Sequence, residues 1–223
     1  MKGLVQIAGI IDLEEARMVA RAGVRELGFP LRLAVHREDL SEDEAARIVR
    51  AMGAGASFVL ITYLEEAEAV LALSRALGVG KVQLHSGIGL DELRRLRGLD
   101  PALVIYKSLV VRGGNLGELE ADVLRFSPFV DAFITDTFDP VTSACGATGK
   151  THDWEVSRRL VLASPRPVIL AGGLNPGNVG RAILYARPAG VDAHTGVEGP
   201  DGRKSEELVR AFVSEAARAF SLL

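Results

Sequence analysis

Reactive side chains and glycines directly follow many of the short apolar runs in this 223-residue sequence. These residues are Gly28, His85, Lys107, Asp136, Gly172, Gly173, His194, Thr195 and Gly196. A carboxyl group or an imidazole can donate and accept protons near neutral pH when its surroundings tune it. Glycine lets backbone amides approach an anion closely. The set therefore predicts acid–base chemistry on a small anionic molecule.

The apolar runs themselves indicate buried strands, because they are continuously apolar, as is typical of parallel strands covered on both faces. Eight strands are predicted, at 4–7, 25–27, 58–62, 82–84, 103–106, 132–135, 168–170 and 191–193. Each is followed by an amphipathic helical segment, and three helix starts carry capping signals. The signals are Asp12 with Glu15, Ser41 with Glu44, and Asn175 followed by Pro176.

Eight strand–helix units give roughly 28 residues each, the spacing of a compact (β/α)8 barrel. A doubly wound open sheet is the main alternative, but no GxGxxG motif follows the first strand. No linker, low-complexity stretch or charge block divides the sequence, so residues 1–223 are predicted to form a single α/β domain, a (β/α)8 TIM barrel. In such a barrel the carboxyl ends of the strands carry the chemistry, which gathers the residues above at one mouth.

Composition and charge exclude several classes of protein. The net charge of -3 gives no positive field for nucleic acid. The one cysteine excludes an intrachain disulfide and a cysteine zinc cluster, which fits a reducing compartment. No apolar run reaches the ~18 residues of a membrane span, and none at the start is long enough for a signal peptide. We expect a cytoplasmic protein, a monomer or homodimer, that uses no metal, cofactor, nucleic acid or membrane.

The strongest local signal for a ligand lies in the last two units, VILAGGLNPGNV and GVDAHTGVEG. Phosphate sites in (β/α)8 barrels commonly follow strands seven and eight. Gly172, Gly173, Thr195 and Gly196 are therefore predicted to bind phosphate through backbone amides. The structural alternative is that Gly172 and Gly173 only make a tight turn into the next helix.

With these motifs the sequence resembles the phosphoribosylanthranilate isomerase family, barrel enzymes of tryptophan biosynthesis. The motifs that carry the resemblance are VQIAGI, GF, VQLH, DAFITDT, GATGKTHDW, ILAGGLNPGNV and GVDAHTGVEGPDGRK, in the family's order. The resemblance implies an isomerase that converts an aminoaldose phosphate into an aminoketose phosphate by an Amadori rearrangement. It also implies a phosphorylated small-molecule substrate.

The resemblance assigns the general acid to Asp136, which would protonate the ring oxygen and open the furanose. The general base of the family is a cysteine in a motif like KICGI, where this sequence has Gln6 to Ile10, reading QIAGI. Ala8 therefore stands at the position of the base and cannot accept a proton. Cys145, in the loop after the sixth strand, and His194 are the candidates to replace it.

Four other residues have both a functional and a structural interpretation. His85 matches a family histidine, as a substrate contact or a structural hydrogen-bonding group, and Arg37 matches an arginine that binds the substrate's carboxylate or phosphate side. Arg37 could equally be a solvated loop residue. Lys107 could pair with charges at the barrel mouth or form a Schiff base. Asp153, with Trp154, matches the DW of the family at a helix start, and capping that helix is preferred to a catalytic role.

Two other functions remain open at this point. One is an isomerase, epimerase or lyase for another phosphorylated compound, which would keep Asp136. The other is a non-catalytic protein that binds a phosphorylated ligand after losing the base. The group that fills the space above Ala8 separates them: Cys145 or His194 there favours an enzyme, and an inert side chain favours a binding protein.

Overall fold

The computed structural model describes residues 2–33, 38–85, 87–139, 144–145 and 153–223. Its strands are β1 (Leu4–Ala8), β2 (Glu26–Pro30), β3 (Ser57–Thr62), β4 (Lys81–Leu84), β5 (Val104–Val111), β6 (Ala132–Asp139), β7 (Ala144–Cys145), β8 (Val168–Leu170) and β9 (Gly190–Ala193). Its helices are α1 (Leu13–Arg21), α2 (Glu42–Met52), α3 (Ala67–Leu77), α4 (Leu90–Leu99), α5 (Leu116–Phe126), α6 (Trp154–Ala163), α7 (Val179–Ala186) and α8 (Glu206–Phe220).

Eight of the strands pair in parallel and close into a ring. The order runs β5-β4-β3-β2-β1-β9-β8-β6, and β5 also pairs with β6. The remaining strand, β7, is short and pairs antiparallel with the end of β6. The predicted (β/α)8 barrel is confirmed and the open-sheet alternative is wrong, because the β5–β6 ladder leaves no edge between them.

Strands β5 and β6 are longer than predicted. The ladder continues through Leu109 opposite Thr135 and Val110 opposite Asp136, so Lys107 and Asp136 lie within strands rather than after them. The expected ends were wrong because polar residues interrupt the apolar runs there. Asp136 is accommodated because it borders the cavity at the top of the barrel, whereas Lys107 lies near the Phe126 ring of α5.

The capping signals have three different outcomes. Ser41 and Glu44 form the complete capping box, with each side chain bonded to the backbone amide of the other residue. Asp12 accepts from the Glu15 amide at 2.8 Å, but the Glu15 carboxylate reaches the amide of Ile11 instead of that of Asp12. The Asn175 prediction is wrong, because a turn intervenes and the seventh helix begins only at Val179.

The apolar core fills the layer between the strands and the helices, with a second cluster inside the barrel that includes Ala8, Ile134 and Ile169. At the amino-terminal base of the barrel, the Tyr106 hydroxyl donates to the buried carboxylate of Glu26, which also pairs with Lys81. Within the described residues, no helix has the length and hydropathy needed to cross a lipid bilayer.

Candidate active site

A cavity of about 370 Å³ opens at the carboxyl ends of the strands. Most of the predicted site residues border it, together with several that were not predicted. The residues lining it include Ala8, Ile61, Tyr63, Gln83, His85, Asp136, Gly172, Gly173, Leu174, Asp192, His194, Thr195, Gly196 and Glu198. Closure of the barrel therefore brings acid–base groups and glycine turns from distant parts of the chain to one cavity.

Asp136 projects into this cavity from β6 and is only 7% exposed. Its Oδ1 accepts a hydrogen bond from the Thr137 amide at 2.7 Å, and its Oδ2 lies 3.5 Å from His85 Nε2. Burial raises the pKa of Asp136 to about 7, and the Thr137 hydrogen bond opposes that rise only in part. A carboxyl with this pKa is partly protonated at neutral pH, so it can act as a general acid.

His85 is held beside Asp136 by its own neighbours. Its Nδ1 lies 2.7 Å from the Ser108 hydroxyl, and the Tyr63 ring meets it edge-on at 5.0 Å between centroids. The structural hydrogen bond expected for His85 is therefore present. Since His85 also borders the cavity, its predicted contact with substrate stays a prediction.

The four residues predicted to bind phosphate lie together on one side of the cavity. Gly172 and Gly173 follow β8 with φ angles of 92° and 62°, in the left-handed region that favours glycine. Thr195 and Gly196 begin a short 3₁₀ turn after β9. A Cβ on Gly196 would lie 1.9 Å from the Leu174 carbonyl oxygen, so only glycine allows the two segments to approach this closely.

The His194 imidazole lies over the turn that follows Ala8. A Cβ on Gly9 would be 2.1 Å from His194 Nε2, so the ring occupies the space that a side chain at Gly9 would fill. The same nitrogen lies 3.4 Å from a carboxylate oxygen of Glu198. Glu198 in turn receives a 2.6 Å hydrogen bond from the buried ammonium group of Lys204. Sequence reasoning placed His194 but missed these two partners.

Asp192 is the main residue of the cavity that sequence reasoning missed. It lies in β9 directly opposite Gln6 of β1, and it is 8% exposed. Burial, and after it the charge of Asp136, raises the pKa of Asp192 to about 7. A side-chain hydrogen bond with Gln6 and the charge of Lys204 oppose that rise, and the charge of Glu26 adds the smallest contribution to it. The available signal was a carboxylate inside the otherwise apolar run GVDA, two residues before His194 and so on the same face of the strand.

The other predicted residues lie elsewhere or outside the described part of the chain. Arg37 lies outside the described residues. The backbone of Cys145 pairs with that of Phe138 in the β6–β7 ladder, and its side chain is outside the description. Lys107 does not border the cavity but lies 6.0 Å from the Phe126 ring of α5, where burial lowers its pKa to about 8. Asp153 caps α6 as predicted, accepting from the Glu155 amide at 2.9 Å.

Comparison with known proteins gives one consistent result. A family model described as N-(5'phosphoribosyl)anthranilate (PRA) isomerase matches residues 5–215. The N-(5'-phosphoribosyl)anthranilate isomerase 2 of Methanosarcina mazei is 39% identical over 217 residues, which cover 97% of this chain and 95% of the relative.

Solved structures agree with the sequence matches. The phosphoribosyl anthranilate isomerase of Thermotoga maritima has a TM-score of 0.81 and 28% identity, with 98% of this chain and 100% of the other covered. A phosphoribosyl anthranilate isomerase in complex with reduced 1-(o-carboxyphenylamino)-1-deoxyribulose 5-phosphate has a TM-score of 0.79 and 26% identity, with coverage of 98% and 100%. These matches do not favour the two other functions left open by the sequence.

Proposed function

Because the chain belongs to the PRA isomerase family, we propose that it isomerises phosphoribosylanthranilate by an Amadori rearrangement. The observation that carries the proposal is Asp136, a buried carboxyl with a pKa of about 7 that borders the same cavity as the glycine turns. An acid and an anion-binding surface within one cavity are what ring opening of a sugar phosphate requires.

In the first step the protonated carboxyl of Asp136 gives its proton to the furanose ring oxygen. The bond between that oxygen and C1 breaks, and the lone pair of the anthranilate nitrogen forms the iminium. His85 contributes by fixing Asp136: its ring is held by Ser108 with Nε2 facing the carboxyl. The hydroxyl of the product keeps the donated proton.

The phosphate group of the substrate is held by the segments after β8 and β9. The amides of Gly172, Gly173, Thr195 and Gly196 are the proposed donors, supported by the position of all four on the cavity wall. Backbone donors fixed in tight turns lose little freedom when an anion binds, which favours affinity. Arg37 stays the candidate for the substrate's carboxylate or phosphate side.

In the second step a base removes the proton from C2 of the iminium. Ala8, at the family's base position, is buried in β1 and offers only a methyl group. Cys145 and His194 stay the candidates named from the sequence, and of these His194 has its ring beside the end of β1. We propose that the base is a side chain contributed by a strand or loop other than β1.

The cellular setting follows from the same proposal. An isomerase of tryptophan biosynthesis acting on a phosphorylated small molecule is expected in the cytoplasm. A monomer or a homodimer, with no nucleic-acid partner, stays our prediction for its assembly.

The proposal is tested by comparing the wild type with Asp136→Asn. We expect the wild type to convert PRA and the variant to lose about 10²- to 10⁴-fold in kcat, the range for loss of a positioned acid. Binding of the reduced product analogue named above should stay within about threefold, because asparagine preserves shape and the phosphate turns are untouched. Asp122→Asn, a partly exposed position of α5 outside the cavity, is the matched control. A wild type that leaves PRA unchanged would refute the proposal.

A further inference from the structure

We infer that Asp192 is the proton acceptor that replaces the missing cysteine, an inference that rests on the proposed function. The carboxylate projects into the reaction cavity from β9, the strand that pairs with β1 on the side opposite β2. Its neighbour across that ladder is Gln6, two residues before Ala8 on the same face of β1. Asp192 therefore lies beside the place where the family carries its base.

Hydrogen bonding holds Asp192 only in part: a side-chain hydrogen bond with Gln6 acts on the carboxyl group, and the residue borders the cavity. Its Oδ1 is buried and has no hydrogen-bond partner among the described residues. Gln6 donates from Nε2 to Gln83 Oε1 at 2.9 Å, which fixes the Gln6 side chain next to the Asp192 carboxyl group. A buried oxygen without a partner is costly in a folded protein, so it calls for an explanation. Because Asp192 also borders the cavity, uptake of a substrate proton by its carboxyl group supplies one.

The alanine at position 8 fits this arrangement. A methyl group leaves more room above Gln6 than a cysteine side chain would, and Ala8 borders the same cavity as Asp192. The small side chain at position 8 therefore leaves the cavity wider beside the strand that carries Asp192.

The charges around Asp192 suit a base that works opposite Asp136. The groups that act on it are Asp136 from β6, Glu26 from β2, Gln6 from β1 and Lys204 from the segment before α8. Because the charge of Asp136 raises the pKa of Asp192, ionisation of both carboxyls at once is disfavoured near neutrality. Gln6 and Lys204 favour the charged form of Asp192, which leaves the proton on Asp136.

The proton balance of the rearrangement closes with these two groups. Asp192 takes the C2 proton, the C–H electron pair forms the C1–C2 double bond, and the iminium electrons return to nitrogen. Asp192 then returns its proton to C1 as the C2 hydroxyl becomes a ketone, and the hydroxyl proton restores the acid form of Asp136. Substrate and product are isomers, so no further reactant is needed.

His194 is less suited to this step. Its Nε2, the nitrogen nearest to the end of β1, also faces the Glu198 carboxylate at 3.4 Å. Lys204 fixes that carboxylate at 2.6 Å. The arrangement orients the imidazole as a wall of the cavity next to the phosphate turns, whereas one Asp192 oxygen has no hydrogen-bond partner in the described part of the chain.

The test compares Asp192→Asn, His194→Gln and Cys145→Ser, each with and without Ala8→Cys. We expect Asp192→Asn to cause the largest loss in kcat, about 10²- to 10⁴-fold, with analogue binding within about threefold. In the Asp192→Asn background, Ala8→Cys should raise kcat at least about tenfold, because it returns a base to β1. A purely structural role for Asp192 predicts no such rescue. Asp192→Ser is the second variant if the asparagine variant fails to fold.

Several results would overturn the inference. Turnover of Asp192→Asn within about threefold of wild type would do so, as would a larger loss in His194→Gln or Cys145→Ser. If Asp192→Asn loses both turnover and binding of the analogue, and Ala8→Cys does not restore turnover, Asp192 has a structural role. An inactive wild type made active by Ala8→Cys would remove Asp192 as the base while showing that the cavity accepts PRA. A wild type and Ala8→Cys that are both inactive would refute the proposed function itself.

Discussion

Asp136 and Asp192 have the same side-chain chemistry but different hydrogen-bond partners. Asp136 accepts the Thr137 amide and faces His85, whereas Asp192 meets Gln6 and the field of Lys204. Their pKa values are both raised to about 7, chiefly by burial. Two carboxyls whose simultaneous ionisation is disfavoured supply an acid and a base at the same pH, which is the combination that an aldose–ketose rearrangement needs.

The raised pKa values predict how stability changes with pH. Between about pH 4 and pH 7 the folded chain holds protons that the unfolded chain has released, so the free energy of unfolding falls as pH rises. Each pKa difference of one is worth about 1.4 kcal/mol, so each carboxyl should cost on the order of 2 kcal/mol between about pH 5 and pH 8. Asp136→Asn or Asp192→Asn should remove its part of that fall. Urea unfolding at both pH values measures it.

The control for this prediction is again Asp122→Asn, whose carboxylate is on the surface of α5 and pairs with Arg125. It should follow the wild type at both pH values. Parallel behaviour of Asp136→Asn, Asp192→Asn and the wild type would show that the two buried carboxyls have ordinary pKa values in the folded chain.

The two carboxyls also differ in how far they could be predicted from the sequence. Asp136 ends an apolar run, and the DAFITDT motif carries the family resemblance, so its place at the mouth was foreseeable. Asp192 lies inside an apolar run, and its significance depends on pairing with Gln6 at the other end of the chain. That contact exists only once β9 closes against β1. Pattern reasoning along the sequence does not reveal it.

At the scale of elements, the loops after β8 and β9 form one unit. They meet where Gly196 approaches the Leu174 carbonyl oxygen. Within the loop after β8, Asn178 Oδ1 accepts from the Asn175 amide and Asn178 Nδ2 donates to the Gly173 carbonyl oxygen. This turn delays the start of α7 to Val179. The predicted cap at Asn175 failed because its side chain bonds within that turn, to the amide of Gly177.

The close approach of these loops predicts the effect of Gly196→Ala. The new Cβ would meet the Leu174 carbonyl oxygen, a backbone atom that moves only with the loop, so the phosphate turns must separate. We expect the KM for PRA to rise at least about tenfold, with a loss of about 1–3 kcal/mol in stability. Steady-state kinetics and urea unfolding measure both quantities.

Gly117→Ala is the matched control for that prediction, because a Cβ on this glycine of α5 meets nothing within 4 Å. It should leave the KM unchanged and stabilise the helix slightly, since alanine is the better helix former. An unchanged KM in Gly196→Ala would mean that the two turns do not hold the phosphate.

The helices and strands differ in how well their ends could be predicted. The second helix begins directly after Ser41, as the capping signal at Ser41 and Glu44 predicts, because the capping box is local chemistry. β5 and β6 were predicted too short, because their continuation is set by pairing with each other rather than by their own residues. The ends of strands at a barrel mouth are therefore hardest to predict from the sequence where polar functional residues begin.

Over the whole molecule, the two ends of the barrel have separate tasks. The mouth carries the two carboxyls and the phosphate turns, whereas the amino-terminal end of the barrel carries Glu26 with Tyr106 and Lys81 in a polar cluster. In this fold, catalytic residues usually lie at the carboxyl ends of the strands, and residues that stabilise the barrel lie at the opposite end. The number of units and the spacing of turns made this architecture predictable, since eight strand–helix units suit a closed ring.

The most direct test of the account is the rate at which the unmodified chain converts PRA at about pH 7, beside the double variant Asp136→Asn/Asp192→Asn. Tyr106→Phe, which removes a hydroxyl at the base of the barrel, is the control and should convert PRA within about threefold of the wild-type rate. We predict turnover by the wild type and a rate for the double variant that is lower by at least about 10²-fold. A wild type no faster than the double variant would contradict the assignment of this cavity as an isomerase site worked by two carboxyls.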